Sequence, residues 1–401
     1  MLFIYFYYFL VCIAHFCAMP FLFLLSFKPK YKESLKKRFF YPSFLKSDKE
    51  ILWFHGCSFG EIASLQPILE SLHLQHNEQI LITTTTQTGF NLAKKTYPNF
   101  LVSYLPFESF IPFFTKNLKL KTFILLEVEL WLMPLFCAKR KGVKTILLNA
   151  RISTRSYKKY LKFRFFYQKL FAYLDRVFAQ STEDKERLEA LCAENVEVFG
   201  NIKLLSIPTI TQKYKKPKKE FWAITSTHQK NGEIEELLIL ESLLKFLEAS
   251  KKEVNIMFAP RHPERFLSVA KKIQERLGNK KLILASQNGV QNAIDSSFSL
   301  LDRLGELNNI YAICDLVILG GSFIKNIGGH NPLEPAFFGC KLISGEYIFN
   351  QLALFSCIKN YKLCKIKDLE DILKESEKLK KTKITQTINK EYLIKTLRNE
   401  V

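Results

Sequence analysis

The first 27 residues, MLFIYFYYFLVCIAHFCAMPFLFLLSF, contain no Asp, Glu, Lys or Arg. A charge-free run of that length is long enough to cross the roughly 30 Å hydrocarbon layer as a helix. No basic segment leads it, which argues against a secretory signal, whose charges precede a shorter apolar core. His15 and Pro20 weaken the run slightly. The nine cysteines (Cys12, Cys17, Cys57, Cys137, Cys192, Cys314, Cys340, Cys357 and Cys364) include no CxxC pair and no ligand-like cluster with histidine. A structural zinc site is therefore not expected, and a reducing compartment is. GxxxxGK[ST] and HExxH are absent, and HGCSFGE lacks the order of a GxGxxG fingerprint. P-loop hydrolysis and hydride transfer drop out.

What the chain has in excess is positive charge: 59 Lys+Arg against 38 Asp+Glu, a formal net charge of +21. Such a surface attracts phosphates, of nucleic acid or of anionic lipid, unless it merely reflects a lysine-rich proteome. Lys28, Lys30, Lys32, Lys36, Lys37 and Arg38 follow the apolar run directly. By the positive-inside rule they put the rest of the chain in the cytoplasm. With Phe39, Phe40 and Tyr41 behind them they suit an anionic leaflet, at about 1 kcal/mol per near-surface cation.

The 401 residues exceed one ordinary core, so two domains are expected. Short apolar runs at 51–56, 79–86, 100–107, 122–129 and 144–150 alternate with helix-like segments, as a parallel α/β sheet requires. A second series at 221–227, 254–260, 281–285, 297–301, 315–321 and 340–344 begins after LLSIPTITQKYKKPKKE, which has two prolines and five lysines and resembles a linker. The organisation expected is an anchor at 1–27, a Rossmann-like domain at 28–205, a linker at 206–220, and a second Rossmann-like domain at 221–401 whose last helix is in reach of the first. The helical periods at 233–249 and 263–278 suit helices packed on a sheet. Two doubly wound halves facing a crevice follow, with chemistry expected just after the strands.

Glu61, in ILWFHGCSFGEIASLQPILESL, sits just after a glycine turn, where a positive helix end would hold a carboxylate ionised, at perhaps 0.3–1 kcal/mol. In GGSFIKNIGGHNPLEPAFFG (320–339), glycines free the backbone and Pro332 suits a helix's first turn, so amides there suit a phosphate. Glu334 falls in that first turn, a place for a ribose diol or an ordinary helix-start carboxylate. Arg261 and His262 of APRHPERF follow a strand, and arginine pairs bidentately with phosphate. Glu127 and Glu129, two apart, would share a strand face. Arg151, Ser153, Arg155 and Lys203 follow apolar runs and could equally be solvated surface.

Taken in order, WFHGCSFGE, EVELW, NARIS, QSTED, FGNIK, APRHPERF, GEL, GGS and GGHNPLEPA resemble the motif set of the 3-deoxy-D-manno-octulosonic acid (Kdo) transferases of lipopolysaccharide synthesis, over residues 28–355 or so. The resemblance implies a GT-B-type α/β glycosyltransferase at the inner (cytoplasmic) membrane. It would move Kdo from CMP-Kdo to the lipid A precursor lipid IVA, with no cofactor and no metal. It makes Glu61, after Gly60, the general base, and Glu129 and Lys203 stabilisers of the transition state. CMP contacts carry over onto Pro260 and Arg261, onto Leu304, Gly305 and Glu306, and onto Asn331, Pro332, Leu333 and Glu334. His262 and Ser322 join Arg151 and Ser153 as further candidates. The sequence departs from the family pattern where Leu132 and Met133 intervene between Trp131 and Pro134, and by one added residue around Lys325. The partners expected are CMP-Kdo, the lipid acceptor and anionic lipids. A related GT-B transferase using another nucleotide sugar is the near alternative. A membrane-tethered nucleic-acid-binding protein is the distant one, and it predicts salt-steep DNA binding.

Overall fold

The computed structural model describes residues 2–29, 31–127 and 130–398. It forms two compact units, 1–206 with 388–401, and 207–387. Glu129, and Lys30 of the basic cluster, lie outside the described residues.

The first unit carries a seven-stranded parallel sheet of β1 (Ser47–His55), β2 (Glu78–Thr84), β3 (Leu101–Tyr104), β4 (Leu118–Leu126), β5 (Lys144–Ala150), β6 (Arg176–Ala179) and β7 (Val196–Val198), in the order β3-β2-β1-β4-β5-β6-β7. The strands read as unbroken apolar runs because helices cover both faces: Ile51, Leu52, Trp53 and Phe54 are all buried although their side chains alternate. Strand order reverses between β1 and β4, so the segments that leave these two strands frame the unit's ligand crevice. They are the Glu61 turn and the segment that starts at Glu127.

The second unit is built from β8 (Glu220–Thr227), a two-residue hairpin of β9 (Gln229–Lys230) and β10 (Glu233–Ile234), β11 (Val254–Pro260), β12 (Ile283–Leu284), β13 (Phe298–Leu300), β14 (Leu316–Leu319), β15 (Lys341–Gly345), β16 (Ile358–Lys359), β17 (Tyr361–Cys364) and β18 (Lys383–Ile384). Its parallel sheet runs β12-β13-β11-β8-β14-β15-β17, with β16 and β18 in a separate antiparallel ladder. The switch point falls between β8 and β14, which sends the THQK and GGS segments to the same edge.

Three sheet strands carry no clear sequence signal. β6, β7 and β17 have three or four residues each, too few for a period to register. At EVELW the strand stops at Leu126, and Glu127 turns left-handed at φ 56°; the face-sharing expected of Glu127 and Glu129 falls on Glu129, outside the described residues. The lysine-rich 206–220 stretch is held along the second unit rather than loose. The amides of Thr211 and Gln212 donate to Asn309 Oδ1 (2.9 and 3.1 Å), and that of Lys215 donates to Gln291 Oε1 (2.9 Å).

The helix Leu2–Leu25 has the length and apolar composition to cross a membrane, the one such helix among the described residues. One stripe of it is engaged with its own unit: Ile4, Val11 and His15 are buried. His15 meets Ser109 Oγ (2.7 Å) and the Phe39 carbonyl (2.9 Å) through its two ring nitrogens. Tyr8 donates to the Ser109 carbonyl (2.7 Å), and Tyr7 to the buried carboxyl of Glu108. The rest of the helix is exposed at Leu2, Phe6, Phe9, Phe16, Phe21 and Leu24. Arg38 of the basic cluster donates to the Leu105 carbonyl (3.0 Å).

The chain re-enters the first unit with the helix Lys390–Leu397. Leu393 and Leu397 join its core, Tyr392 donates to Glu197 (2.8 Å), and Lys144 donates to the Thr396 carbonyl (3.2 Å).

Candidate functional site

In the first unit β1 delivers the chain into a tight turn ahead of the helix Phe59–Ser64. Ser58 caps that helix: its Oγ accepts from the Glu61 amide (3.3 Å) and donates to Glu61 Oε1 (2.7 Å). Glu61 Oε2 accepts from the Cys57 amide (2.7 Å). This is a variant of the capping box, in which the glutamate takes the amide of Cys57, one residue before the cap, rather than that of Ser58. Thr84 and Thr86 hydroxyls donate to the Cys57 carbonyl (2.9 and 2.8 Å) and pin the turn to the end of β2. The half-buried Glu61 is thus held by its own local fold as well as by the helix end. Gly60 is exposed, and a Cβ there would meet only Ser58 Oγ, at 4.0 Å.

Lys203 lies in the short turn Ile202–Leu205, capped by Asn201, whose Oδ1 accepts the Lys203 amide (3.1 Å). A relay of buried amides behind it has no warning in residue spacing. Asn201 Nδ2 donates to Gln180 Oε1 (3.0 Å), Gln180 Nε2 to the Asn149 carbonyl (3.0 Å), and Asn149 Oδ1 accepts the Ile202 amide (3.1 Å). The loops after β5, β6 and β7 are thereby tied into one rim that positions Lys203. Asn149 serves there in a left-handed conformation, φ 60°, which asparagine tolerates better than most residues. Ser153 is the cap of the helix Thr154–Lys162, accepting the Ser156 amide (3.3 Å), and Arg151 is half-buried beside the capping carboxylate Asp184.

In the second unit a cavity of about 250 Å³ opens at the carboxyl ends of β8, β11 and β13. Pro260, Arg261, Leu304, Gly305 and Glu334 line it, with Ser226, Phe266, Arg303 and Asn308. Ser226 is left-handed (φ 57°), and the β8–β11 register shifts between Ala259 and Pro260. A shift of this kind re-aims side chains at a sheet edge, here those of the PRH segment. Gly305 has φ 86°, natural only for glycine. Arg261 is exposed.

The other residues carried over onto CMP stand behind this lining. Glu306 accepts from the Tyr214 hydroxyl (3.0 Å) and from Asn309 Nδ2 (2.7 Å). Asn331 donates to Glu334 Oε1 (3.1 Å) and accepts the Leu333 amide (3.0 Å), while Pro332 and Leu333 are buried. Burial raises the pKa of Glu334, against the opposing pull of the Asn331 amide and the Arg261 charge. Burial thus outweighs helix-end stabilisation for this carboxyl, whose helix, Leu333–Phe337, has five residues.

The glycine-rich GGS loop corrects the expectation of amides presented to a phosphate. Its amides are already occupied: the carboxylate of Glu235, 0 % exposed, accepts from Gly321 (2.7 Å), Ser322 (3.1 Å) and Phe323 (2.9 Å), and from His228 (2.9 Å). Ser322 Oγ donates to the Leu319 carbonyl (2.6 Å) and accepts the Gly345 amide (2.7 Å). Ser322 is therefore structural. The nest that would hold a ligand's anion holds the protein's own, and Glu235 escaped notice because it sits inside the apolar period of Glu235–Ser250.

His262, half-buried, belongs to a cluster with His228 and His330, both of which spacing left unmarked. The His228 and His330 Nε2 atoms are 2.7 Å apart, and the His262 ring packs edge-on against His228 at 4.9 Å. Among the described residues no group of three or more His, Cys, Asp or Glu could hold a metal ion.

Two parallel seven-stranded sheets, each with its polar loops at a switch point, define the GT-B glycosyltransferase fold. MurG of Acinetobacter baumannii shares it at 12% identity, with a TM-score of 0.52 over 87% of this chain and 94% of that one. Residues 33–206 match the family model described as 3-deoxy-D-manno-octulosonic-acid transferase (kdotransferase). The 3-deoxy-D-manno-octulosonic acid transferase of Haemophilus influenzae is 31% identical over 351 residues, 83% of this chain and 79% of that protein. A bifunctional glycosyltransferase/methyltransferase of Fusobacterium nucleatum is 29% identical over 374 residues, 89% of this chain but only 57% of that longer protein. The chain belongs to the Kdo transferase family.

Proposed function

We propose that the protein is a membrane-anchored glycosyltransferase that moves Kdo from CMP-Kdo to a lipid A precursor and releases CMP. The observation that carries this reading is the convergence of Pro260, Arg261, Leu304, Gly305 and Glu334, from separate strand ends, on one cavity of the second unit. A guanidinium for the phosphate, a half-buried carboxyl for the ribose and an apolar wall for the base are what a nucleoside monophosphate needs.

In this reading Glu61 takes the proton of the acceptor hydroxyl as that oxygen bonds to the anomeric carbon. The bond from that carbon to the phosphate oxygen breaks, and CMP leaves with both electrons. The capping box supports the assignment because it orients the carboxylate before substrate arrives, and general-base catalysis depends on reach. Lys203, with its backbone fixed by the amide relay, is assigned to the charge that develops on the leaving phosphate, and Glu129 to the same transition state. The reaction so written draws on no metal or cofactor. The helix Leu2–Leu25 and the basic segment after it would hold the protein where a lipid acceptor is met, on the cytoplasmic face of the inner membrane.

The test is to incubate detergent-solubilised protein with CMP-Kdo and a tetraacyl lipid A precursor and to weigh the lipid product. One or more added Kdo units with matching CMP release is expected. Intact acceptor alongside transfer from a different nucleotide sugar would overturn the donor assignment.

A further inference from the structure

His228 leaves the end of β8 and His330 lies in the loop that follows β14, so both stand at the second unit's switch point. Their rings stack at 4.9 Å between centroids and 12° between planes, with the Nε2 atoms 2.7 Å apart. At that distance one Nε2 must donate and the other accept. The neutral pair therefore shares one proton in the link and keeps a further ring nitrogen able to accept another.

The fold spends a good deal on this contact. A Cβ at Gly321 would fall 2.5 Å from His330 Cδ2, and the position has φ 68°, so glycine is required for the ring to enter. Glu235 takes the amides of both His228 and Gly321 and so fixes the backbone on either side of the pair.

The charges that face the rings are mostly positive. Arg261 and His262 come from the segment after β11, and Arg265 from the turn Pro263–Arg265, where its guanidinium pairs with Glu236 (2.8 Å). Lys230 of the hairpin donates to the Asn326 carbonyl (2.7 Å). Glu264 reaches His262 Nδ1 at 3.7 Å, and the carboxylate of Glu235 is turned to backbone amides. Among the described residues no carboxylate is hydrogen-bonded to either ring of the pair. Burial first, then the neighbouring positive charges, lowers His228 to about 4 and His330 to about 3. At neutral pH the empty pair carries no net charge. Arg261 lines the cavity, and its amide donates to the carbonyl of Thr227 (3.2 Å), the residue before His228, so an anion drawn to its guanidinium arrives near the pair.

We propose that His228 and His330 form a proton-accepting clasp for the donor's phosphate, taking up one proton between them when the nucleotide binds at Arg261. The proposal rests on the donor reading above. A neutral clasp spares the empty site an unpaired buried charge, and a charged one meets the bound anion with a charge-assisted hydrogen bond. Cleavage of the donor turns a singly charged phosphodiester into a monoester able to carry two charges, so the acquired proton stands where negative charge develops.

The sign follows from linkage. A pair that is neutral when free and protonated when bound takes up a proton on binding, so affinity falls as pH rises from about 4 to the bound-state pKa. An opposite charge at close range raises that value by about 1–3 units, which puts the window below about pH 7.

The probe is the methyl ester of CMP, whose phosphate does not titrate between pH 5 and 8. Full-chain protein is titrated with it calorimetrically at pH 5, 6.5 and 8, in buffers of different ionisation enthalpy. Wild type is expected to take up about 0.4–0.9 proton at pH 5 and to bind about 2- to 80-fold more tightly at pH 5 than at pH 8. His330→Gln and His228→Gln should each flatten that profile. Flat affinity and no proton uptake in wild type would overturn the clasp, as would a pH slope that persists in both variants and so belongs to Glu334. Failure of wild type to bind either the ester or CMP at any pH would instead overturn the donor reading.

Discussion

Glu61 does two things at once, closing a capping box and carrying the carboxylate assigned as base. Glu61→Gln separates them, because the amide keeps the shape and an acceptor oxygen but loses the basicity. Transfer should fall by about 10²–10⁴-fold, while CMP affinity and stability should stay near the parental values, because glutamine also serves at this position of the helix start. Parental turnover in the purified variant would remove Glu61 from the base role. At this scale the sequence was legible for strand-end positions: Glu61 after β1, Arg261 after β11 and Gly305 after β13 all stand at carboxyl ends. It was not legible where a residue's surroundings come from a neighbouring loop. Glu334 is dominated by burial, which no helix-start rule registers. Asn149, Gln180 and Asn201 are separated by 20 residues or more and meet only because parallel strands bring their ends together.

Among the elements, the loop after β14 and the helix Glu235–Ser250 act as one part, because one buried carboxylate accepts four backbone amides across them. Replacing Glu235 with Gln would turn an amide N–H₂ toward donors it cannot satisfy. Each buried group left unpaired costs about 1–3 kcal/mol, so the variant should lose several kcal/mol in urea unfolding, with a displaced His228–His330 pair. An unchanged midpoint would mean that the loop finds other partners. The long strands were legible because burial on both faces makes them continuous apolar runs of five residues or more. β17, with Tyr361, Lys362 and Leu363 all open to solvent to some degree, offers no such run. The glycines of the GGS loop were rightly seen as freeing backbone, but the anion they serve came from elsewhere in the chain, and a local motif cannot reveal that.

At the scale of the whole molecule, a net charge of +21 and a charge-free helix sit in one chain. The polar stripe of that helix, Tyr7, Tyr8 and His15 against Glu108 and Ser109, ties it to the first unit. Deleting residues 1–27 should therefore do more than release the protein from membranes. It leaves the Glu108 carboxyl without its Tyr7 partner, and the first unit should unfold at a lower temperature than in the full chain held in detergent. An equal midpoint would make the helix a passive anchor. The helix Lys390–Leu397 has a consequence of another kind. The first unit lacks its last element until residues 390–397 have been made, whereas the second is complete once residue 387 has been added. At a synthesis rate of about 5–20 residues per second, the gap between residues 206 and 388 is roughly 10–40 s. During nascent-chain growth the half that emerges first is thus the half that finishes folding last, and it waits with the apolar surface against which Leu393 and Leu397 later pack still uncovered.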